Sequence, residues 1–305
     1  MTYEEKLARF NEHIEAGGKV ETEDWMPDDY RNGVLKFIEM HANSEIMGAL
    51  PERECLPAAP SLKRKMSLCA KIQDEVGHSQ LLYRVAEDLG KSRDAMYYDL
   101  VTGKSKFHNV FHYPVKNWGD VALIGWLIDG AALVTQAALL DSSYAPYTRV
   151  LKRICSEEQL HLRHGEDITL ELASGTDAQR ELFQDALNRW WLAIIHFFGP
   201  RSNVDKDLLL RWKVKTRTNE DLRQEFLDRY VPKILEIGFS LPTPVPYRQD
   251  EHWLIDEDEI DWAPLDAIKK NEGPETARRL GTRRTMYEDH RWVREALAEP
   301  AIHAA

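Results

Sequence analysis

The chain has 305 residues, 30% of them charged, and a net charge of −11. That length can bury a large core, and the acidic balance argues against a nucleic-acid backbone as partner, which would call for a basic stripe. The three cysteines, Cys55, Cys69 and Cys155, form no C-x-x-C pair, which excludes a cysteine-ligated zinc or iron–sulfur site of the usual spacing and fits a reduced, cytoplasmic compartment.

Strand signals are nearly absent, so the expected class is all-α. The charged N-terminus, with Glu4 and Glu5, does not read as a signal peptide. Pro27 suits a helix start, and the pattern predicts a helix to about Leu50, ending before Pro51. Residues 51–60 read as a Pro-rich loop. Ser61 then opens a long helix to about Leu89, closed by Gly90. A short helix follows from Ser92, and residues 103–118 read as an irregular aromatic loop. Gly119 and Asp120 begin a third long helix, to about Asp141. Pro146 lies at the start of a fourth, to about Ser174. The longest apolar stretch, Val121 to Val134, reads as too short to span a bilayer and carries Asp129, so no membrane partner is expected.

Thr176 caps a further helix through Trp190 and Trp191 to Phe198, and Thr218 caps another to about Tyr230. From Leu241 the character changes. Leu241–Pro246 is a Pro-rich linker, followed by an acidic run to Asp261 and a charged helix from about Pro274 to Leu297. The expected division is a helical bundle over 1–240 and an extension over 241–305 that packs on the bundle or on a partner subunit.

Two Glu-x-x-His tetrads stand on the second and fourth long helices, Glu75 with His78 and Glu158 with His161. Composition alone predicts about one such tetrad per chain, so the spacing carries the information. Glu45 precedes the first tetrad by 30 residues and Asp129 the second by 29, so the chain reads as two copies of one helix pair. Residues at i and i+3 share a helix face, and each tetrad therefore aims a carboxylate and an imidazole the same way. Two such helices, with one inward acid from each of two others, make the ligand set of a dinuclear carboxylate-bridged site in a four-helix bundle. Four carboxylates balance two divalent cations, and without thiolate the set suits iron. Lys71, one turn before Glu75, either hydrogen-bonds a ligating carboxylate or snorkels to the surface. His164 reads as a rim histidine, Glu157 and Glu166 as solvated acids, and Trp190 to Phe198 as core. Lys104, Lys106 and Lys116 read as solvated loop lysines as readily as partners for an anion.

The segments Asp24–Asp28, His41–Ile46, Ala70–His78, Ile124–Ala132, Ser143–Tyr147, Ile154–Glu158 with His161, and Phe198–Pro200 carry a resemblance that extends to Glu259–Trp262 and Trp292–Glu295. With them the chain resembles the catalytic A subunits of bacterial phenylacetyl-CoA 1,2-epoxidases, ferritin-like di-iron monooxygenases of phenylacetate degradation. The resemblance implies a ferritin-like four-helix bundle with additional helices. It implies iron ligands at Glu45, Glu75, His78, Asp129, Glu158 and His161, with Lys71 beside them. It implies O2 as co-substrate and epoxidation of an aryl-CoA thioester. The implied partners are a structural ferritin-like C subunit, a small B subunit, plus a reductase carrying NADPH, FAD and an iron–sulfur centre. The chain itself has no nucleotide fingerprint, so an external electron donor is expected from the residues as well. Two other readings stay open: a related monooxygenase acting on another aryl- or acyl-CoA, and a non-catalytic ferritin-like iron-binding protein.

Overall fold

The computed structural model describes residues 1–303, and these are built of helices with one small hairpin. After α1 (Tyr3–Glu15) come α2 (Asp28–Cys55), α3 (Leu62–Glu87) and the short α4 (Arg93–Val101). The third long helix, Trp118–Leu139, has three parts: α5 (Trp118–Leu123), a π-helical turn (Ile124–Ile128) and α6 (Asp129–Leu139). Next are α7 (Ala145–Ala173), α8 (Asp177–Ile195), the single turn α9 (Leu208–Arg211) and α10 (Asn219–Glu236). Side-chain oxygens of Ser61, Thr176 and Thr218 accept from backbone N–H groups in the first turns of α3, α8 and α10, which sets where those helices begin.

The bundle is formed by α2, α3, α7 and the Trp118–Leu139 helix. Among the contacts that join α3 to α7 are Arg64 to Glu171, Asp74 to His161 and His78 to Glu157. The pairs advance along α3 while receding along α7 by the same steps, so the two helices are antiparallel. Their apolar faces bury one core around Trp126, Phe183, Trp190 and Phe226 and a second around Ile38, Leu82, Tyr147 and Leu151. A closer contact lies at the π turn. A Cβ on Gly165 of α7 would stand 2.0 Å from the backbone carbon of Gly125, and one on Gly125 would stand 2.8 Å from the Gly165 Cα. Only glycines allow the two backbones to cross so closely. The small residues at this crossing therefore serve helix packing.

Several sequence expectations are corrected. Pro51 does not end α2, which continues to Cys55. Proline forfeits one hydrogen bond inside a helix, but Leu50, Glu52 and Cys55 are buried on the bundle, and their packing outweighs that loss. Glu45 is thus placed within α2, about 15 Å from its end, comparable to the roughly 20 Å of Glu75 from the start of α3. Helix α10 likewise passes through Pro232 to Glu236. The 22-residue helix Trp118–Leu139 is long and apolar enough to cross a membrane by length and composition, but 78% of its apolar 18-residue stretch is buried inside the fold.

The segment after Leu241 contains a hairpin, β1 (Tyr247–Gln249) with β2 (His252–Leu254), that the sequence did not signal. It is followed by α11 (Ala263–Lys269), α12 (Thr276–Asp289) and α13 (Arg291–His303), so the expected single charged helix is two. Trp191 donates to the Pro244 carbonyl at 2.8 Å, and His112 bonds Thr276 at 2.5 Å. Arg279 and Arg283 of α12 reach the carbonyls of Phe111 and Ile46. This segment is held against the bundle beside α2 and the aromatic loop.

Candidate metal centre

All six predicted ligand residues are buried, and they converge at the centre of the bundle. Glu45 comes from α2, Glu75 and His78 from α3, Asp129 from the first turn of α6, and Glu158 and His161 from α7. Glu45, Glu75, His78 and Glu158 can each offer a donor atom to one point, as can Asp129, Glu158 and His161 to a second. Glu158 belongs to both groups. Its Oε1 lies 3.3 Å from His78 Nδ1 and its Oε2 3.1 Å from His161 Nδ1. Glu75 Oε1 lies 3.6 Å from His161 Nδ1, and Glu45 Oε2 lies 3.5 Å from His78 Nδ1. The two imidazole centroids are 5.9 Å apart. The tetrad acids therefore occupy the middle, with Glu45 and Asp129 at the two ends.

The residues fit a pair of metal ions on an observation independent of the motif. His78 Nδ1 is buried in the cluster without a hydrogen-bond partner, although buried polar atoms are normally satisfied. Its other nitrogen is engaged: Nε2 lies 2.9 Å from Glu157, which Arg153 holds at 3.0 Å. His161 repeats the pattern, with Nε2 3.1 Å from Asp74. A metal-binding histidine commonly donates its outer N–H to a carboxylate, which fixes the ring and frees the inner nitrogen. Glu157 is thus not merely a solvated acid.

The charges tell the same story. Burial, reinforced by Glu158, Glu45 and Glu52, pushes the Glu75 carboxyl well above the usual range. Burial also lifts Asp129 to about 7 against the opposing pull of Lys71. Burial works against a charge on His78, yet the neighbouring Glu158 and Glu45 carboxylates raise it to about 10. Glu158 is held down at about 2, because His161 and His78 outweigh the effect of burial. A cluster this rich in carboxylates draws positive charge inward, and two divalent cations would neutralise its four acids.

Lys71 is buried and joined to Asp129 Oδ2 at 2.5 Å and to Glu52 Oε1 at 2.6 Å. Its ammonium lies among carboxylates inside the bundle and not at the surface. Sequence reasoning missed Glu52, His41, Asp74 and the role of Glu157. Each had a positional signal: Asp74 and Glu157 immediately precede the tetrad acids, His41 lies one turn before Glu45, and Glu52 two turns after it. His164 has an unpaired buried Nε2 but joins neither ligand group.

A cavity of about 290 Å³ opens from the carboxylates. Ile124, Ile128, Leu139, Phe111 and Phe197 supply apolar walls, and Thr216 and Arg217 stand among its more polar lining. Gly48 lies on it, where a Cβ would meet the Phe111 ring at 3.0 Å.

A family model described as "Phenylacetic acid catabolic protein" matches residues 3–292 of the chain. The chain is 41% identical over 298 residues to the A subunit of the 1,2-phenylacetyl-CoA epoxidase of Escherichia coli (strain K12), an alignment covering 97% of this chain and 96% of that relative.

Proposed function

The chain belongs to the phenylacetic acid catabolic protein family, and from that premise we propose that it is the catalytic subunit of a multicomponent monooxygenase that epoxidises the aromatic ring of phenylacetyl-CoA. The substrate class and the place in phenylacetate catabolism are supported by the near full-length likeness to an epoxidase component. The observation that carries the chemistry is the unpartnered, buried His78 Nδ1 facing Glu45 and Glu158. Glu45, Glu75, His78, Asp129, Glu158 and His161 would hold two iron ions. Bound iron would supply activation of O2 and transfer of one oxygen atom to the ring.

The remaining work falls to the protein. The apolar walls formed by Ile124, Ile128, Leu139, Phe111 and Phe197 suit an aromatic ring and exclude water from it. Asp74 and Glu157 hold the two imidazoles in one orientation. Lys71 favours the ionised form of Asp129 against burial and fixes the carboxylate by occupying its Oδ2. Electrons would come from a separate reductase using NADPH, FAD and an iron–sulfur centre. A small B subunit with a structural ferritin-like C subunit completes the assembly we infer. Support for an assembly comes from the relative, which is named as one lettered component of its epoxidase.

Iron analysis with Mössbauer spectra tests the centre. About two irons per chain are expected, and less than one would refute it. Reconstitution with partner subunits and reductase, assayed on phenylacetyl-CoA against benzoyl-CoA and longer acyl-CoAs, tests the substrate. NADPH oxidation with no oxygenated CoA product would favour a substrate-free iron-binding protein.

A further inference from the structure

We infer that His41 is a positioning residue for Glu45, locked in one tautomer by Tyr147 so that only Glu45 Oε2 is free to bind metal; the inference rests on the di-iron reading above. Tyr147, at the start of α7, is completely buried. Among the described residues its hydroxyl has one polar partner, His41 Nδ1 at 2.7 Å. A buried hydroxyl needs an acceptor for its proton, so the Tyr147 O–H donates to His41 and Nδ1 is the unprotonated nitrogen. The ring proton therefore sits on Nε2.

His41 Nε2 lies 2.8 Å from Glu45 Oε1, one turn further along α2. The contact is short and electrostatic, between an imidazole nitrogen and a carboxylate oxygen. Gln136 Nε2 also lies 3.4 Å from His41 Nε2, an arrangement that sets two donors face to face if Nε2 carries the proton. With its amide turned over, Gln136 offers its oxygen to the same N–H, and its nitrogen faces the Cys155 sulfur, which lies 3.7 Å from the present Oε1. The turned-over amide is the orientation that agrees with a proton on His41 Nε2.

Glu45 thus has two unlike oxygens. Oε1 is committed to His41, and Oε2 points at the unpartnered His78 Nδ1. Asp129, at the opposite end, also has one oxygen occupied, but by the Lys71 ammonium. A neutral imidazole withdraws less electron density from its carboxylate than a cation does. The geometry therefore makes the two metal positions unequal, with the Glu45 carboxylate the stronger donor of the two end acids. His41 also lines the cavity, so its fixed orientation shapes the space beside the ring to be oxidised.

The test is iron binding by chelator competition, with Mössbauer spectra of the reduced site, on the full chain and its His41→Leu, His41→Gln and Tyr147→Phe variants. His41→Leu is expected to weaken one of the two irons by about 10- to 100-fold and to shift one of the two quadrupole doublets. His41→Gln retains an N–H donor and an acceptor, and restores most of the affinity and the original doublet. Tyr147→Phe gives a smaller loss on the same iron, and it carries the test if His41→Leu does not fold by circular dichroism. Both irons bound with unchanged affinity and unchanged doublets in Tyr147→Phe or a folded His41→Leu would overturn the inference. A wild-type chain that takes up less than one iron refutes the di-iron reading instead.

Discussion

Lys71 offers the most direct test of how this core balances charge. Replacing it with Met keeps the volume of the side chain but removes the one cation between Asp129 Oδ2 and Glu52 Oε1, 2.5 and 2.6 Å away. Removing one partner of a buried ion pair costs about 3–5 kcal/mol. With roughly 2 °C of Tm per kcal/mol for a domain of this size, metal-free Lys71→Met should melt about 6–10 °C below wild type. The deficit should also depend on pH. Burial already raises Asp129 to about 7 while Lys71 opposes it, and loss of Lys71 raises it further. A carboxyl whose folded pKa lies above its unfolded value of about 3.9 costs nothing while protonated. It destabilises the fold increasingly as pH rises toward the folded pKa. The variant's deficit is therefore larger at pH 8.5 than at pH 5.5. A second change, Glu52→Leu in the Lys71→Met background, removes an uncompensated charge and should recover part of the loss. Thermal unfolding followed by circular dichroism measures all three proteins. A Lys71→Met variant melting within about 1 °C of wild type at pH 8.5 would refute the reasoning, as would a deficit that shrinks with rising pH.

Gly165→Ala places a Cβ 2.0 Å from the Gly125 backbone, and should cost about 1–3 kcal/mol by overpacking and lower iron occupancy through displaced Asp129; calorimetry and metal analysis read the two effects. Asp74→Asn and Glu157→Gln leave the ligands intact but loosen His161 and His78, with iron affinity down about 10- to 100-fold in a chelator titration and little change in Tm. Burial pushes His112 down to about 4 against about 6.5 in the unfolded chain. The unfolded state binds more protons between those values, so its contribution is intact above pH 6.5 and is lost as pH falls toward 4, up to about 3 kcal/mol. Urea midpoints at pH 7.5 and 4.5 measure that loss, and His112→Phe should flatten the slope.

The cluster of buried acids and histidines was legible because its information is local: two tetrads, each with an acid about thirty residues upstream, need only helical periodicity to converge. Its surroundings were less so. Glu52 and Glu157 look like members of a solvated face until Lys71 and His78 are seen beside them, and those partners come from other helices. Pro51 carried a strong local stop signal that tertiary packing of Leu50 and Cys55 overrode. The π turn left no readable mark in Ile124–Ile128, because it depends on Gly165 some forty residues away. The β1–β2 hairpin is too short to show an alternating pattern.

That π turn has a consequence for how this chain tolerates change in length. A π-helical turn is equivalent to one residue inserted into an α-helix, and each residue turns an α-helix by about 100°. Removing any single residue from Ile124–Ile128 would let the segment relax into ordinary α-helix while α5 stays seated on α8. Asp129 would then swing by roughly that angle, away from Glu158 and His161. A deletion that costs little in the fold would thus dismantle one end of the centre. The bulge is where this architecture trades one residue of helix for the aim of a carboxylate.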